Sequence, residues 1–318
     1  MTDPFSDLLK LTQAQSLITG GFTAGGDWAI RFPAPTRIKF FAVVQGGCWI
    51  HIEGEAEPLR FECGDIGLIS APRAFVLASD PNVPPLDAMA LFSGAGKSRV
   101  HLGEGQDFAH LGGHVLLDPV SGPLLSEVLP PWIHIPASWP QADRFRALLD
   151  QLVVEQAQAL PGMQLASAQL AQLLFIQILR AHLMSGAAKP ASWLKALVHP
   201  RLAPAIRLMH SDPARNWHLE TLAQACAMSR TTFATQFKAI AGVAPMSYLT
   251  RWRMQLAQRA LQTSDIQIAQ LASDLGYQSE SAFSTAFKRE TGHSPRACRL
   301  AAQGQVAVSV NLVTPDIE

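Results

Sequence analysis

The sequence predicts an α+β protein with a strand-rich N-terminal half, a helical middle and an all-α C-terminal region. Three observations carry this prediction. Short apolar runs bounded by Gly, Pro or Asp fill the first part of the chain. Apolar residues at helical spacing take over from about residue 141. A stretch near the C-terminus occurs twice. With 318 residues, 48% of them hydrophobic, the chain has material for about two domains with cores of their own and is too apolar for disorder.

The N-terminus, MTDPFSDLLKL, carries acids where a secretory leader carries bases. Cys48, Cys63, Cys226 and Cys298 form no CxxC pair, which fits free thiols in a reducing compartment. A cytoplasmic protein is expected. Next come WAIRF (28–32), FFAVV (40–44), CWIHI (48–52), LRFEC (59–63), IGLIS (66–70) and FVLA (75–78). Short strands at this spacing predict a β-sandwich or barrel, and Glu53-Gly54-Glu55 is hairpin material. Phe145, Leu148, Leu149, Leu152 and Gln156 then mark a helix, which Pro161-Gly162 ends. Leu165 to Met184 reads as a second helix, apolar on most faces. Its glutamines and Arg180 leave it short of the ~20 apolar residues of a membrane span, so no membrane is expected. Such a helix must be covered nearly all round, by its own chain or, as a homodimer, by a second copy. The expected segments are 1–136 (strand-rich), 137–190 (helical linker ending in Ser185-Gly186-Ala187-Ala188-Lys189-Pro190, with dimerisation as one role), 191–300 (helical) and a loose tail at 301–318.

The formal net charge is zero, but it is unevenly spread. Residues 1–199 carry 13 basic against 17 acidic side chains, and residues 200–300 carry 12 against 6. A basic C-terminal region points to a polyanion at that end.

The repeat gives the polyanion a reader. LAQACAMSRTTFATQFKAIAGVAPMSYL (222–249) aligns with LASDLGYQSESAFSTAFKRETGHSPRAC (271–298). Leu222 matches Leu271. After one inserted residue, Ser229, Phe233, Phe237-Lys238, Gly242 and Pro245 match Ser279, Phe283, Phe287-Lys288, Gly292 and Pro295. In each copy a short helix leads to a turn at Met228 or Gly276-Tyr277. A Ser then offers its hydroxyl as N-cap, two Phe rings share one helix face, Gly ends the helix and Pro starts the next. Helix, tight turn and half-polar second helix is the helix-turn-helix plan. Between the copies, YLTRWRMQLAQRAL (248–261) puts Leu249, Trp252, Leu256 and Ala260 on one stripe. This helix is expected to join the units rigidly, spacing them near one DNA turn, roughly 34 Å.

FKxxxGxxPxxY, the WR-bearing connector and GYxSxxxFxxxFKxxxGxSP together resemble the AraC/XylS family of transcription regulators over about residues 200–300. The family usually has an aromatic where this chain has Cys298, so weaker packing is expected there; Tyr248 keeps the aromatic in the first copy. The resemblance implies double-stranded DNA as partner and Ser229–Ile240 and Ser279–Glu290 as recognition helices. Outward positions are then Arg230, Thr231, Ala234 and Thr235, and Glu280, Ser281, Ser284 and Thr285. Arg230 has the fork for guanine and Glu280 the acceptor for cytosine. The shorter residues imply reading by shape and water. Lys238, Arg251, Arg253, Lys288, Arg289 and Arg296 are placed for phosphates.

The N-terminal half, through DPFSDLLKL, WAIRFPAP, FFAVVQGGCWIHIEG, GDIGLISAPRAFVL and GPLLSEVLPPWIHI, resembles the cupin-like β-barrel sensor domain of part of that family. The resemblance implies a small-molecule effector held inside the barrel. Metal cupins present His at positions that here are Phe41 and Phe75, and a further such position is Gly122. Phenyl rings ligate nothing, so neither metal nor other cofactor is expected. A pocket lined by Trp28, Phe41, Trp49 and Phe75 is expected instead, beside the bland reading of a closed core. His51, His101, His110, His114 and His134 remain, and Gly112-Gly113 breaks any helical pairing of His110 with His114. GAGKS (94–98) lacks the first Gly of a phosphate loop. Cys48 and Cys63 fit inert packing better than a redox pair. The competing reading is a metal-dependent cupin enzyme fused to a DNA-binding domain; a non-enzymatic regulator is expected.

Overall fold

The computed structural model describes residues 3–92, 99–185 and 192–301. GAGKS (94–98), residues 186–190 of the expected linker and residues 302–318 of the expected tail lie outside the described residues. By contacts the chain divides into two units. One comprises Gln13–Asp118 and Ser126–Lys189, the other Met1–Thr12, Pro119–Leu125 and Pro190–Glu318. This division departs from the segments read in the sequence. Residues 3–12 and 119–125 sort with the helical unit, and the helices expected as a linker sort with the strands.

The first helix, α1 (Pro4–Leu11), was not legible as one, although its cap is written in the sequence. The Asp3 carboxylate accepts from the Phe5 N–H, and Pro4 opens the first turn, where a missing N–H costs nothing. Its buried Leu8, Leu9 and Leu11 face the helical unit.

The strand-rich unit follows in order: β1 (Gln15–Gly25), β2 (Ala29–Phe32), β3 (Ile38–Gln45), β4 (Gly47–Ile52), β5 (Leu59–Glu62), β6 (Ile66–Ile69), β7 (Phe75–Ala78), β8 (Leu86–Asp87), α2 (Ala88–Leu91), β9 (Arg99–Gly103) and β10 (Phe108–Leu116). Past α3 (Pro123–Ser126) come β11 (Trp132–Ile135), α4 (Ala142–Gln158) and α5 (Met163–Met184). The strands form two sheets, ordered β11-β6-β3-β10-β1-β9 and β5-β4-β7-β2-β8, not one closed ladder. Alternation along each strand builds the core between them. Phe22, Phe41, Val43 and Phe108 of the larger sheet meet Ile30, Cys48, Ile50, Phe61 and Phe75 of the smaller. Phe40, on the opposite face of β3, lies against Gly113. The helix α5 packs on β1, where its Gln172 accepts from the Ser16 N–H at 3.0 Å. The glutamine of α4, Gln156, donates to Ser167 of α5 at 2.9 Å. The turn ahead of β6 is pinned by Asp65, which accepts from Glu62 and Ala137 N–H groups and pairs with His134 at 3.0 Å. These bonds hold its carboxyl below the usual range against the opposing effect of burial.

Strands β1 and β10 were not read in the sequence because glycines dilute their pattern. A Cβ on Gly113 would lie 2.4 Å from the Phe40 ring, and one on Gly21 would lie 2.0 Å from the His110 carbonyl oxygen. Close approach therefore replaces the branched side chains that usually announce a strand.

The helical unit continues with α6 (Trp193–Val198), α7 (Ala203–Ser211), α8 (Leu219–Ala225), α9 (Arg230–Ala241), α10 (Pro245–Thr263), α11 (Ile268–Asp274) and α12 (Glu280–Thr291). It has two cores. Leu222, Phe233, Phe237, Tyr248 and Leu249 belong to one, and Met254, Ala257, Leu261, Leu271, Phe283 and Phe287 to the other. The helix α10 serves both. The expected stripe of Leu249, Trp252, Leu256 and Ala260 gives way after Trp252, where Met254, Ala257 and Leu261 take over the buried side. A straight helix must turn a new face to the second core, and so it clamps both.

Candidate nucleic-acid interface and effector cleft

The repeat folds as two helix-turn-helix units, α8–α9 and α11–α12. Ser229 and Ser279 cap the second helices, accepting from the Thr232 and Ala282 N–H groups at 3.2 and 3.1 Å. Gly242 and Gly292 close them in the left-handed conformation, at φ +77° and +82°. Phe233, Phe237, Phe283 and Phe287 are wholly buried, which sets the phase of both helices. In the inter-helix turns the left-handed residues are Gly276 (φ +78°), within the Gly276-Tyr277 turn read in the sequence, and Ala227 (φ +53°), one place before the Met228 of that reading.

With the rings inward, the outward faces follow. Arg230, Thr231 and Thr235 of α9 and Glu280, Ser281 and Thr285 of α12 are exposed, and Ala234 and Ser284 are half-buried at matching places. Ser281, Ser284 and Thr285 share a groove with Lys288, Arg289 and Ser294. Residues expected to face bases and residues expected to meet phosphates thus share one groove, and Ser294 joins them unforeseen. In this state Arg230 pairs with Glu220 at 3.0 Å, and Glu290 draws Arg289 (3.2 Å) and Arg251 (3.9 Å). The cations of all three pairs are exposed, so a phosphate can compete for them. Lys238, Lys288 and Arg296 are exposed with no carboxylate partner among the described residues.

Arg253 has partners that the sequence did not show. Its Nε donates to the Pro213 carbonyl at 2.6 Å and its Nη2 to the Arg215 carbonyl at 2.8 Å, and the guanidinium lies 5.7 Å from the Tyr277 ring centre. The 212–217 loop leads into the first unit, and Tyr277 belongs to the second. Gly276 presses on the same loop, where a Cβ would lie 1.9 Å from the Ala214 carbonyl oxygen. Arg253 is therefore a strut between the two helix-turn-helix units, using two of its five N–H donors on backbone carbonyls. No sequence periodicity could disclose this, because the partners are backbone carbonyls about forty residues away. A second buried tie joins His210 and Tyr248, which share a 2.7 Å hydrogen bond. Burial pushes the His210 imidazole down to about 4, so the Asp7 carboxylate 3.5 Å from its Nδ1 faces a neutral ring at pH 7.

In the strand-rich unit, Phe41 and Phe75 face the interior as expected, with ring centres 5.9 Å apart. They are packed shut, and so is Trp28, 4.5 Å from Phe108. Trp49 points away: the alternation that buries Cys48 and Ile50 turns it outward under Arg60. The expected pocket of Trp28, Phe41, Trp49 and Phe75 is therefore filled core plus one surface ring, because aromatic volume occupies the interior. Of the clefts that open elsewhere on the unit, two touch His110. The histidines are dispersed. His51 meets the Glu55 carbonyl, His101 meets Thr23, His114 meets Arg37 and His134 meets Asp65. Cys48 is buried, its thiol pushed up to about 12, and Cys63 is exposed. No described helix is long and apolar enough to cross a membrane.

Residues 3–184 match a family model described as Cupin, and residues 222–301 match one described as Helix-turn-helix domain. An AraC-like transcription regulator of Streptomyces lividans is 38% identical, covering 92% of this chain and 96% of its own. The HTH-type transcriptional regulator AlkR of Acinetobacter baylyi is 32% identical, covering 86% and 91%. Among solved structures, the DNA-binding domain of the global transcriptional factor AdpA, in complex with a target DNA, is 34% identical. It covers 34% of this chain and 96% of its own, with a TM-score of 0.33.

Proposed function

This chain belongs to the AraC-like transcription regulators, a DNA-binding family, and from that premise we propose that it is a cytoplasmic, effector-responsive regulator and not an enzyme. The observation that carries the reading is the pair of like-phased helices α9 and α12, clamped by α10 with polar faces outward. These helices enter successive major grooves. Arg230 leaves Glu220 to fork onto a guanine, and Glu280 accepts from a cytosine. Thr231, Ala234, Thr235, Ser281, Ser284 and Thr285 make close, low-information contacts. Lys238, Lys288, Arg251, Arg289 and Arg296 hold phosphates.

A small molecule bound in the strand-rich unit biases DNA binding, which requires unequal affinity for two arrangements of the chain. The chain works as a homodimer through α4 and α5. Val153, Val154, Leu165 and Leu173 stay exposed on these helices, and this supports a second copy as their cover. Footprinting on DNA beside the protein's own gene, with and without candidate compounds, tests the reading. Two protected major-groove segments about one turn apart are expected. Protection no stronger than on random DNA at physiological salt would sink it.

A further inference from the structure

A cleft of about 630 Å³ opens among β1, β3, β10 and α2, within the size range of small-molecule sites. The ladder register explains the room. Phe22, His110 and Val43 lie side by side on the three strands, and two residues along stand Gly20, Gly112 and Phe41. The second row supplies one side chain where the first supplies three. Even a Cβ on Gly112 would crowd the His110 ring, at 3.0 Å from Cε1. Next along, His114 lies opposite Lys39.

The lining has one chemical bias. Phe22, Phe32, Met89 and Phe92 make it apolar, no Asp or Glu lines it, and Lys39 is its only charged side chain among the described residues. The Lys39 ammonium lies 4.7 Å from the Phe32 ring centre and 5.6 Å from that of Phe75, with no carboxylate partner among the described residues. Burial alone lowers its pKa, as expected of an ammonium with no anion beside it. His110 is 8% exposed and stacks on Phe22 at 4.9 Å and Phe41 at 5.9 Å. Neither of its ring nitrogens has a hydrogen-bond partner among the described residues. A buried imidazole with both nitrogens idle is costly unless something else satisfies it. Beyond the lining, His114 sits 3.2 Å from the Arg37 guanidinium. The one formal charge on the lining, among the described residues, is thus positive.

We propose that this cleft binds a small apolar monocarboxylic acid, its alkyl or aryl body against Phe22, Phe32, Met89 and Phe92 and its carboxylate on Lys39 and the N–H of His110. One negative charge fits one ammonium; a second would be buried unpaired. A cation is repelled, and a purely apolar ligand leaves Lys39 and His110 as they are. The inference rests on the effector reading above and names the effector's chemistry.

Calorimetry on the full chain tests it with matched pairs: octanoate against octan-1-ol and phenylacetate against 2-phenylethanol. Each acid is expected to bind roughly 10- to 100-fold tighter than its alcohol, the worth of a hydrogen bond to a charged group. Lys39→Met should erase that margin and leave the alcohols unchanged. His110→Phe, which keeps the stacking, should weaken the acids alone. Equal affinity for acid and alcohol in the native protein overturns the proposal, and this comparison needs no variant to fold. A margin that survives in Lys39→Met, or no binding by either acid, overturns it too. A neutral or cationic compound that binds and shifts operator affinity where acids do not removes the carboxylate assignment and leaves the effector reading standing. If no compound of any charge shifts operator affinity, the effector reading itself falls.

Discussion

Replacing Arg253 by Met tests whether this cation holds the protein or the DNA. The side chain donates to two backbone carbonyls, at 2.6 and 2.8 Å, and leans on the Tyr277 ring. Each charge-assisted bond is worth about 1.5–3 kcal/mol and the ring contact about 0.5–1 kcal/mol. The residue is half-buried, so water replaces part of what is lost, and a destabilisation of about 2–4 kcal/mol is expected. A lysine ammonium cannot reach two divergent carbonyls at once, so Arg253→Lys should recover less than half. The loss should localise, with faster amide exchange at residues 212–217 and around Tyr277. Operator affinity should drop through looser spacing of α9 and α12. The slope of log affinity against log salt should not change, because no phosphate contact has gone. Fluorescence anisotropy with a labelled operator duplex across a salt series measures that slope. A slope flattened by about one unit, with stability intact, would show that Arg253 binds phosphate and that the strut is incidental.

The same titration gives Lys288→Ala the opposite signature: weaker binding to all sequences and a slope flatter by about one unit. An unchanged slope would strike Lys288 from the phosphate set. Phe283→Ala, at a wholly buried ring, should cost about 3–5 kcal/mol of helical-unit stability, measured by urea denaturation. Gly276→Ala combines a left-handed φ of +78° with a clash on the Ala214 carbonyl and should cost more than the ~1–2 kcal/mol of the conformation alone. Ala227→Gly, at the equivalent turn, should cost nothing or stabilise slightly; thermal melts of the two variants decide. Acid should weaken the strand-rich unit through His110, whose imidazole burial pushes down from 6.5 to about 3. The unfolded chain then takes up the proton first, so this stability is complete above about pH 6.5 and is lost as pH falls towards 3. His110→Phe should flatten that part of the pH–stability curve, and an unaltered curve would place the sensitivity elsewhere.

The DNA-binding half was legible because its constraints are local and written twice. A serine hydroxyl caps the helix that follows it, a left-handed glycine ends the same helix, and two rings four residues apart must share a face. Each rule acts within one helical turn, so matching Ser229, Phe233, Phe237 and Gly242 to Ser279, Phe283, Phe287 and Gly292 was enough to phase both recognition helices. The strands with branched or aromatic alternation were legible for the same reason. Strands β1 and β10 were not, since their glycines matter only once Phe40 or a neighbouring strand comes close.

By itself, then, the sequence determined the class of the fold, the double helix-turn-helix and the family, along with the outward residues of α9 and α12. Tertiary structure alone decided the rest. It sent Trp49 outward, sealed Phe41 and Phe75 into core, joined α1 to the helical unit and tied Arg253 to carbonyls across the domain. It also set Lys39 and His110 on one apolar cleft. The physical reason is range. Caps, turns and helical phase are settled by neighbours along the chain, whereas the use of a half-buried cation or an idle imidazole depends on strand register. Register brings together residues some seventy positions apart, such as Phe41 and Gly112, and no local pattern encodes it.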